Sequence, residues 1–252
     1  MSGMRSYGDP CGVARALDVI GERWAVLVVR DLLLGPKRFN DLLGGLPGMS
    51  PNVLSQRLRE LTEHGVVRRR DLGPPTRVHL YELTEWGRAL EPLLLQLGRW
   101  GSQARPIPEG ALGADSLLLS IKAAVDPARA ADLRGVYELH IDADTYLAEV
   151  VDDSVRIRRD TASGRPDATL TTDLDTLRAV CDRRITMASA VDSGTLRLNG
   201  EPSATRRLTD LLLPRSRPRL SADRAMRTAG GGGDGPSGGF PPRPWTFRRS
   251  AT

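Results

Sequence analysis

Cysteine and histidine are scarce in this sequence, and each shortage excludes a class of protein. The only cysteines, Cys11 and Cys181, provide no disulfide framework, so we expect a protein of the reducing cytoplasm. The histidines His64, His79 and His140 lie too far apart to follow the spacing of zinc ligands. These shortages predict a cytoplasmic protein without a metal site, and we expect no cofactor.

Long apolar runs and the common catalytic motifs are absent as well. No stretch approaches the roughly 20 apolar residues of a membrane helix, and the segment MSGMRSYGDP at the start contains no apolar signal sequence. The sequence has no nucleophile elbow, Walker loop or dinucleotide fingerprint. The acidic pair Asp152-Asp153 falls at a turn, where solvated carboxylates are the ordinary interpretation. We therefore predict neither a membrane protein nor an enzyme.

Composition divides the chain into three parts, residues 11–104, 112–213 and 214–252. Prolines and a glycine between residues 105 and 110 interrupt a helical pattern and separate the first two parts. The net charge is +4 over residues 1–105, −5 over 106–213 and +6 over 214–252, so the parts are expected to meet different partners. The last part contains GGGGDGPSGG, which cannot bury enough apolar surface to fold. It is predicted to be a disordered basic tail.

The first part has the order of elements of a winged helix-turn-helix. Apolar spacing predicts helices over 13–20, 22–34, 38–43 and 51–64, then strands over 66–70 and 77–83. Thr84 is predicted to cap a single last helix whose apolar side chains run from Trp86 to Trp100. The fold class expected for this part is mainly α, a winged helix-turn-helix with a helical extension.

The predicted helix over residues 51–64 separates an apolar side from a polar side. At about 100° per residue, the core side carries Leu54, Leu58 and Leu61, and the opposite side carries Asn52, Gln56, Arg59 and Glu63, with Ser55 beside them. Asn and Gln can pair with adenine, and Arg with guanine, in the major groove of DNA. The helix N-terminus after Ser50 also presents backbone N–H groups that suit a phosphate. The alternative is a polar face that is merely solvated.

Basic residues surround the turn between the two predicted strands. Arg68, Arg69, Arg70 and Arg77 bracket a Gly-Pro-Pro tip, where a wing would meet the phosphate backbone. Because side chains alternate along a strand, Arg68 and Arg70 share a face and Arg69 points away. The alternative is an edge strand guarded by charge against aggregation. The candidate DNA-contacting residues are Ser50, Asn52, Ser55, Gln56, Arg57, Arg59, Arg68, Arg70 and Arg77.

Several spaced segments of the first part resemble one family of regulators. They are Cys11 to Leu17, Ile20 to Trp24, Arg38 to Leu42, Met49 to Leu61 and Tyr81 to Gly87. In this order they resemble the HxlR-type winged helix-turn-helix transcriptional regulators. The resemblance implies a homodimer whose first and last helices form the interface, bound to a roughly two-fold symmetric operator in double-stranded DNA. It does not distinguish repression from activation.

Cys11 lies at the start of the first predicted helix, where a helix dipole lowers a thiol pKa. Some members of the HxlR-type family use a cysteine at this position to sense oxidants or electrophiles, so the resemblance makes Cys11 a candidate redox sensor. The alternative is a small residue packed at the first helical turn. No second cysteine lies nearby in the sequence to form a disulfide with it.

The second part, residues 112–213, mixes helical and alternating patterns and is predicted to be an α+β domain. The segments Asp167 to Thr172 and Ser193 to Glu201 resemble the sterol carrier protein type-2-like fold. That resemblance implies a groove between sheet and helices for an apolar small molecule or lipid. A plain packed core and a dimerisation module are the alternatives, and no ligand-contacting residue is named.

These patterns together predict a DNA-binding regulator modulated by an apolar small-molecule effector in the second part. Its expected partners are double-stranded DNA, a second copy of the chain and that effector, with no membrane. The alternative from another class is a lipid-binding carrier protein whose helix-turn-helix serves assembly. Only the leading hypothesis predicts a salt-sensitive, sequence-specific complex with a duplex.

Overall fold

The computed structural model describes residues 6–73, 78–106, 110 and 112–213. Its N-terminal part contains helices α1 (Gly12–Ile20), α2 (Ala25–Leu32), α3 (Phe39–Gly44) and α4 (Pro51–Glu63), the antiparallel strands β1 (Val67–Asp71) and β2 (His79–Leu83), and helices α5 (Glu85–Arg88) and α6 (Glu91–Gly101). This is the order expected for a winged helix-turn-helix. The wing tip from Pro74 to Arg77 and the predicted tail, residues 214–252, lie outside the described residues.

Helix α4 begins and packs as its sequence predicts. The Ser50 hydroxyl accepts a hydrogen bond from the Val53 N–H at 3.4 Å, and Pro51 occupies the first helical position. Leu54, Leu58 and Leu61 are fully buried in one core with Val28 and Val29 of α2. The apolar side of α4 therefore lies against the domain and leaves its other side free.

Two of the predicted helices differ from their expected bounds by more than one residue. Helix α2 begins at Ala25 rather than at residue 22, because Trp24 adopts the left-handed conformation (φ 79°) and the helix cannot continue through it toward the N-terminus. The predicted single last helix is two helices, α5 and α6, which meet at Leu90. Pro92 explains the break, since it has no N–H to donate to the carbonyl four residues earlier and its ring clashes there.

The second part is an α+β layer. It contains α7 (Ala114–Ala124), α8 (Pro127–Ala130), a 3₁₀ turn (Ala131–Leu133), β3 (Gly135–Ile141), β4 (Asp144–Val151), β5 (Ser154–Arg158), β6 (Ala168–Thr172), α9 (Leu174–Cys181), α10 (Met187–Asp192), β7 (Leu196–Gly200) and α11 (Pro202–Leu212). The strand order is β5-β4-β3-β6-β7. Strands β3 and β6 are parallel, and the other neighbours are antiparallel.

One face of this sheet is packed and the other is polar. Tyr137, Leu139 and Ile141 of β3 alternate into a core that α7, α9 and α11 close with buried leucines. Glu138 and His140 lie on the opposite face, where His140 Nε2 and Glu138 Oε1 are 2.9 Å apart. The alternating pattern of the sequence therefore identified the inward residues of this strand correctly.

The two parts meet through helix α6 and the end of α2. Helix α6 packs on α7, where Lys122 Nζ lies 2.7 Å from Glu91 Oε1 and Arg99 Nε donates to the Ala123 carbonyl. Leu34, which follows α2, is buried in the core of the second part. Within the described residues, no helix combines the length and apolar character needed to cross a membrane.

Candidate nucleic-acid interface

The outward side of α4 carries the polar residues that the sequence singled out. Asn52, Ser55, Arg59 and Glu63 are exposed, and Gln56 is half-buried. The half-burial of Gln56 comes from its own helix, because its Nε2 donates to Glu60 Oε1 at 2.7 Å and its Oε1 accepts from Arg59 Nη1 at 3.1 Å. Arg59 and Gln56 therefore form one hydrogen-bonded unit on the surface, which a base edge could displace.

Arg57 does not belong to this exposed polar side of α4. Its side chain is 14% exposed and its Nη1 lies 3.5 Å from Glu22 and 2.5 Å from Glu60. Because Glu22 lies in the turn before α2, Arg57 ties α4 to that turn. The structure thus separates Arg57 from the exposed flank, although the sequence analysis grouped it with the candidates.

Arg68 and Arg70 share one face of the wing, as strand alternation predicts, and one carboxylate holds both. Glu82 on β2 is 5% exposed and accepts from Arg68 Nε at 2.7 Å, while its other oxygen lies 3.4 Å from Arg70 Nη1. Both guanidinium groups remain largely exposed. Glu82 was not among the residues singled out from the sequence; its signal is an acidic residue opposite Arg68 in the hairpin register.

Arg69 points to the other face of β1 and lies 3.3 Å from Asp71. Its cross-strand partner is Tyr81, which packs against the core of the N-terminal part. Arg77, the remaining wing candidate, lies outside the described residues.

A stripe of exposed apolar side chains runs along α1 and α6. Val13 and Leu17 lie four residues apart on α1, and Leu93, Leu97 and Trp100 follow helical spacing on α6. An apolar pocket beside them is lined by Ile20, Val26, Val29, Leu90, Leu93, Leu94 and Leu97. Contiguous exposed apolar surface of this kind is typical of a protein–protein contact.

Cys11 is an exposed free thiol at the N-terminus of α1. The nearby backbone N–H groups of Val13 and Ala14 at the helix start lower the pKa of Cys11 below its ordinary value. Burial raises the pKa of Cys181 to about 11. Of the two thiols, Cys11 is therefore the more nucleophilic at neutral pH.

No candidate metal site occurs in the part of the chain that the structure describes. None of its histidine, cysteine, aspartate and glutamate side chains form a group of three or more that could hold an ion.

These features define a winged helix-turn-helix protein with an α+β second part. Residues 19–107 match the model of the HxlR-like helix-turn-helix family. The HTH-type transcriptional regulator YvaP of Bacillus subtilis, itself uncharacterized, is 42% identical over 90 residues, which cover 35% of this chain and 82% of YvaP. The regulator sll1512 of Synechocystis is 39% identical over 97 residues, covering 38% and 70% of the two chains. The chain belongs to the HxlR-like family.

A solved structure also aligns with the N-terminal part. The redox regulator HypR, in its oxidized form, is 37% identical and its whole length covers 38% of this chain, with a TM-score of 0.37.

The second part matches a different family from the one its motifs resemble. Residues 110–217 match the model of the alkyl sulfatase C-terminal domain. The α+β architecture predicted for this part is confirmed, whereas its sterol-carrier identity stays a hypothesis.

Proposed function

We propose that this protein is a DNA-binding transcriptional regulator that reads the major groove with α4 and contacts the phosphate backbone with its wing. The observation that carries the proposal is the exposed flank of Asn52, Gln56 and Arg59 beside the wing arginines Arg68 and Arg70, in a chain of the HxlR-like family. Relatives of this chain are named HTH-type transcriptional regulators, which supports the assignment.

In this proposal, the exposed flank of α4 contacts the edges of the bases. Asn52 and Ser55 are exposed near the helix N-terminus, where the first backbone N–H groups suit a phosphate. Gln56 and Arg59 offer the amide and guanidinium groups that pair with adenine and guanine. Ser50 contributes as the N-cap that sets the helix start. Arg57 stabilises this surface through its ion pairs with Glu22 and Glu60.

The wing supplies sequence-independent affinity. Arg68 and Arg70 keep exposed guanidinium groups while Glu82 holds their orientation, which lowers the entropy lost on contact with a phosphate. Arg77 at the tip is expected to add a further phosphate contact. Such contacts position a protein on the duplex and make its affinity fall as salt rises.

We further propose that the regulator is a homodimer through the stripe on α1 and α6. A second copy of the chain fits this stripe because two-fold symmetric contact would bury the same apolar residues on both subunits. Leu93→Glu should give a monomer in sedimentation, while Val151→Glu in the second part should stay dimeric. The two positions are matched, since they are 54% and 53% exposed. Dimers in both variants would contradict the assignment of this interface.

Binding to DNA is tested by footprinting the full-length protein on the region upstream of its own gene, at low salt and with an unrelated duplex of equal length as control. A protected, two-fold symmetric segment supports the proposal. If no duplex is protected even at low ionic strength, the DNA-binding function is wrong. That result would favour the alternative of a carrier protein whose helix-turn-helix serves assembly.

The second part is proposed to bind an apolar effector. Its match to an alkyl sulfatase C-terminal domain supports a ligand with an alkyl chain, and so does the resemblance to the sterol carrier fold. The inner sheet face is packed by Tyr137, Leu170, Leu177 and Leu208, so a ligand must displace side chains or a helix. Operator affinity should change with added octyl sulfate but not with ethyl sulfate, and an equal response to both would contradict the effector role.

Cys11 is proposed as a redox-sensing residue of this regulator. Its exposure and its lowered pKa support that role, because the thiolate is the form that oxidants attack. Oxidation at the start of α1 would add a polar group beside the proposed dimer stripe.

A further inference from the structure

A buried cluster of charges joins the second part of the chain to the winged helix-turn-helix. Lys37, just before α3, is 9% exposed and its Nζ contacts Asp115 Oδ2 on α7. The same ammonium group lies 3.8 Å from Asp31 Oδ2 on α2. Asp115 and Asp31 are 6% and 2% exposed, so the ammonium lies between two buried carboxylates that belong to different parts of the chain.

The second part holds Asp115 firmly in place. Arg159, after β5, donates from Nη2 to Asp115 Oδ1 at 2.7 Å, and the Tyr146 hydroxyl donates to the same oxygen at 2.8 Å. Burial alone would raise the pKa of Asp115, but Lys37 and Arg159 outweigh it and hold this pKa below its ordinary value. The carboxylate is therefore charged at neutral pH, and it contacts Lys37, Arg159 and Tyr146.

On the other side, Lys37 is bonded to the wing. Its backbone N–H donates to the Tyr81 carbonyl at 3.0 Å, and the Tyr81 N–H donates to the Lys37 carbonyl at 2.8 Å. Tyr81 lies on β2 next to Glu82, the carboxylate that holds Arg68 and Arg70. A displacement of Lys37 thus reaches the arginine pair through two backbone hydrogen bonds and one peptide unit.

A second link runs parallel to the first. The Arg159 backbone N–H donates to the Leu34 carbonyl, and the Leu34 side chain is buried in the core of the second part. The segment from Leu34 to Lys37 is therefore attached to the second part at both ends while Lys37 itself pairs with β2.

We propose that Asp115 is a positioning residue for the DNA-contacting wing, acting through Lys37. The second part then sets the orientation of Arg68 and Arg70, and a change in that part alters phosphate contact without touching DNA. The inference rests on the proposed DNA-binding function and names its regulation. A partner acting on α7, β5 or the loop after β5 would reach the wing by this route.

The experiment compares the full-length wild type with Asp115→Asn, which keeps the shape of the side chain and removes its charge. The matched control is Asp152→Asn, which makes the same change at an exposed aspartate of the second part, paired with Arg134 at 2.7 Å. The readout is the slope of log affinity for the footprinted duplex against log salt concentration. Circular dichroism over the same salt range checks that the folded fraction does not change with salt. A constant loss of folded protein then lowers affinity equally at every salt concentration and leaves this slope unchanged, so a merely structural role does not move it.

The expected result is a shallower slope for Asp115→Asn, by up to about 1.8 per subunit if both arginine contacts are lost. The Asp152→Asn slope should equal that of the wild type. In a background that already carries Arg68→Ala and Arg70→Ala, Asp115→Asn should cause no further change. If Asp115→Asn keeps the wild-type slope, or still flattens it in that background, the inference is overturned.

Tyr146→Phe provides a milder variant in case Asp115→Asn does not fold. It keeps all charges but removes the hydroxyl that donates to Asp115 and accepts from Arg159 Nη2 at 3.0 Å, so its slope should fall between those of the wild type and the arginine double variant. An unchanged slope for folded Tyr146→Phe counts against the inference. Failure of the wild type to bind any duplex would instead overturn the DNA-binding proposal, which separates the two ideas.

Discussion

Replacing Arg70 by alanine tests the proposed wing contact most directly. In the structure its guanidinium is exposed and held at one end by Glu82, so the substitution removes a cation from the surface and leaves the strand pairing intact. Glu82 keeps Arg68 as a partner at 2.7 Å and is not left as an unpaired buried carboxylate. The variant should therefore fold like the wild type.

The size of the effect follows from counterion release. Each phosphate contact adds about 0.9 to the salt slope, so one contact weakens binding by about 3.5-fold between 50 and 200 mM salt. A dimer that loses Arg70 from both subunits loses about 1.8 from the slope, or about 12-fold over the same range. Preference among operator sequences should stay the same, because a phosphate contact carries no base information.

Arg69→Ala is the matched control for this experiment. Arg69 is 49% exposed against 48% for Arg70, is adjacent in sequence and points to the opposite face of β1. Fluorescence anisotropy of a labelled operator at several salt concentrations measures both slopes. Equal slopes for Arg70→Ala and the wild type, or a larger loss in Arg69→Ala, would refute the assignment of the DNA-facing side of the wing.

Three further experiments test the other parts of the proposal. Gln56→Ala should reduce the free-energy preference for one base pair per half-site by about 1–3 kcal/mol and leave the salt slope unchanged. Binding to a set of single-substitution duplexes measures this preference. An unchanged preference profile would contradict base reading by α4. Hydrogen peroxide, which oxidises a single thiolate to sulfenic acid and is itself reduced to water, should alter operator affinity in the wild type but not in Cys11→Ser. A response that is lost in Cys181→Ser instead would assign the sensing role to Cys181. The lowered pKa of Asp115 stabilises the fold at neutral pH, and this contribution should be lost as pH falls below about 4, the ordinary aspartate value. In urea unfolding from pH 6 to pH 3, the free energies of unfolding of the wild type and Asp115→Asn should therefore become more similar as the pH falls. A difference that stays constant with pH would argue against a charged, stabilising Asp115.

The charge cluster gives the second part a role that does not depend on the identity of its ligand. Removing one member of a buried ion pair commonly costs about 3–5 kcal/mol because the remaining charge is left unpaired. Lys37 lies between Asp31 and Asp115, so its loss would leave Arg30 as the cationic partner of Asp31 and Arg159 as that of Asp115, and the cost should be smaller than for a charge left unpaired. We therefore expect the wing and the second part to respond together to substitutions at this cluster.

The periodic elements of this chain could be predicted from sequence because their causes are local. The apolar leucines of α4, its Ser50-Pro51 start and the alternation of β3 depend on residues within a few positions of one another. The break between α5 and α6 was missed even though Pro92 is a sequence signal for a helix break. The leucines on both sides of Pro92 keep an uninterrupted apolar spacing, which predicts one continuous helix. The left-handed conformation of Trp24 had no such local signal.

What the sequence by itself determined is the kind of domain and the exposed flank of α4, since helix periodicity alone separates the buried leucines from Asn52 and Arg59. Only the tertiary structure decided which charges meet. It assigned Arg57 to Glu22, placed both wing arginines on Glu82 and joined Lys37 to Asp115. The physical reason is that an ion pair between residues far apart in the chain depends on how whole elements pack, and no local pattern of residues records that packing.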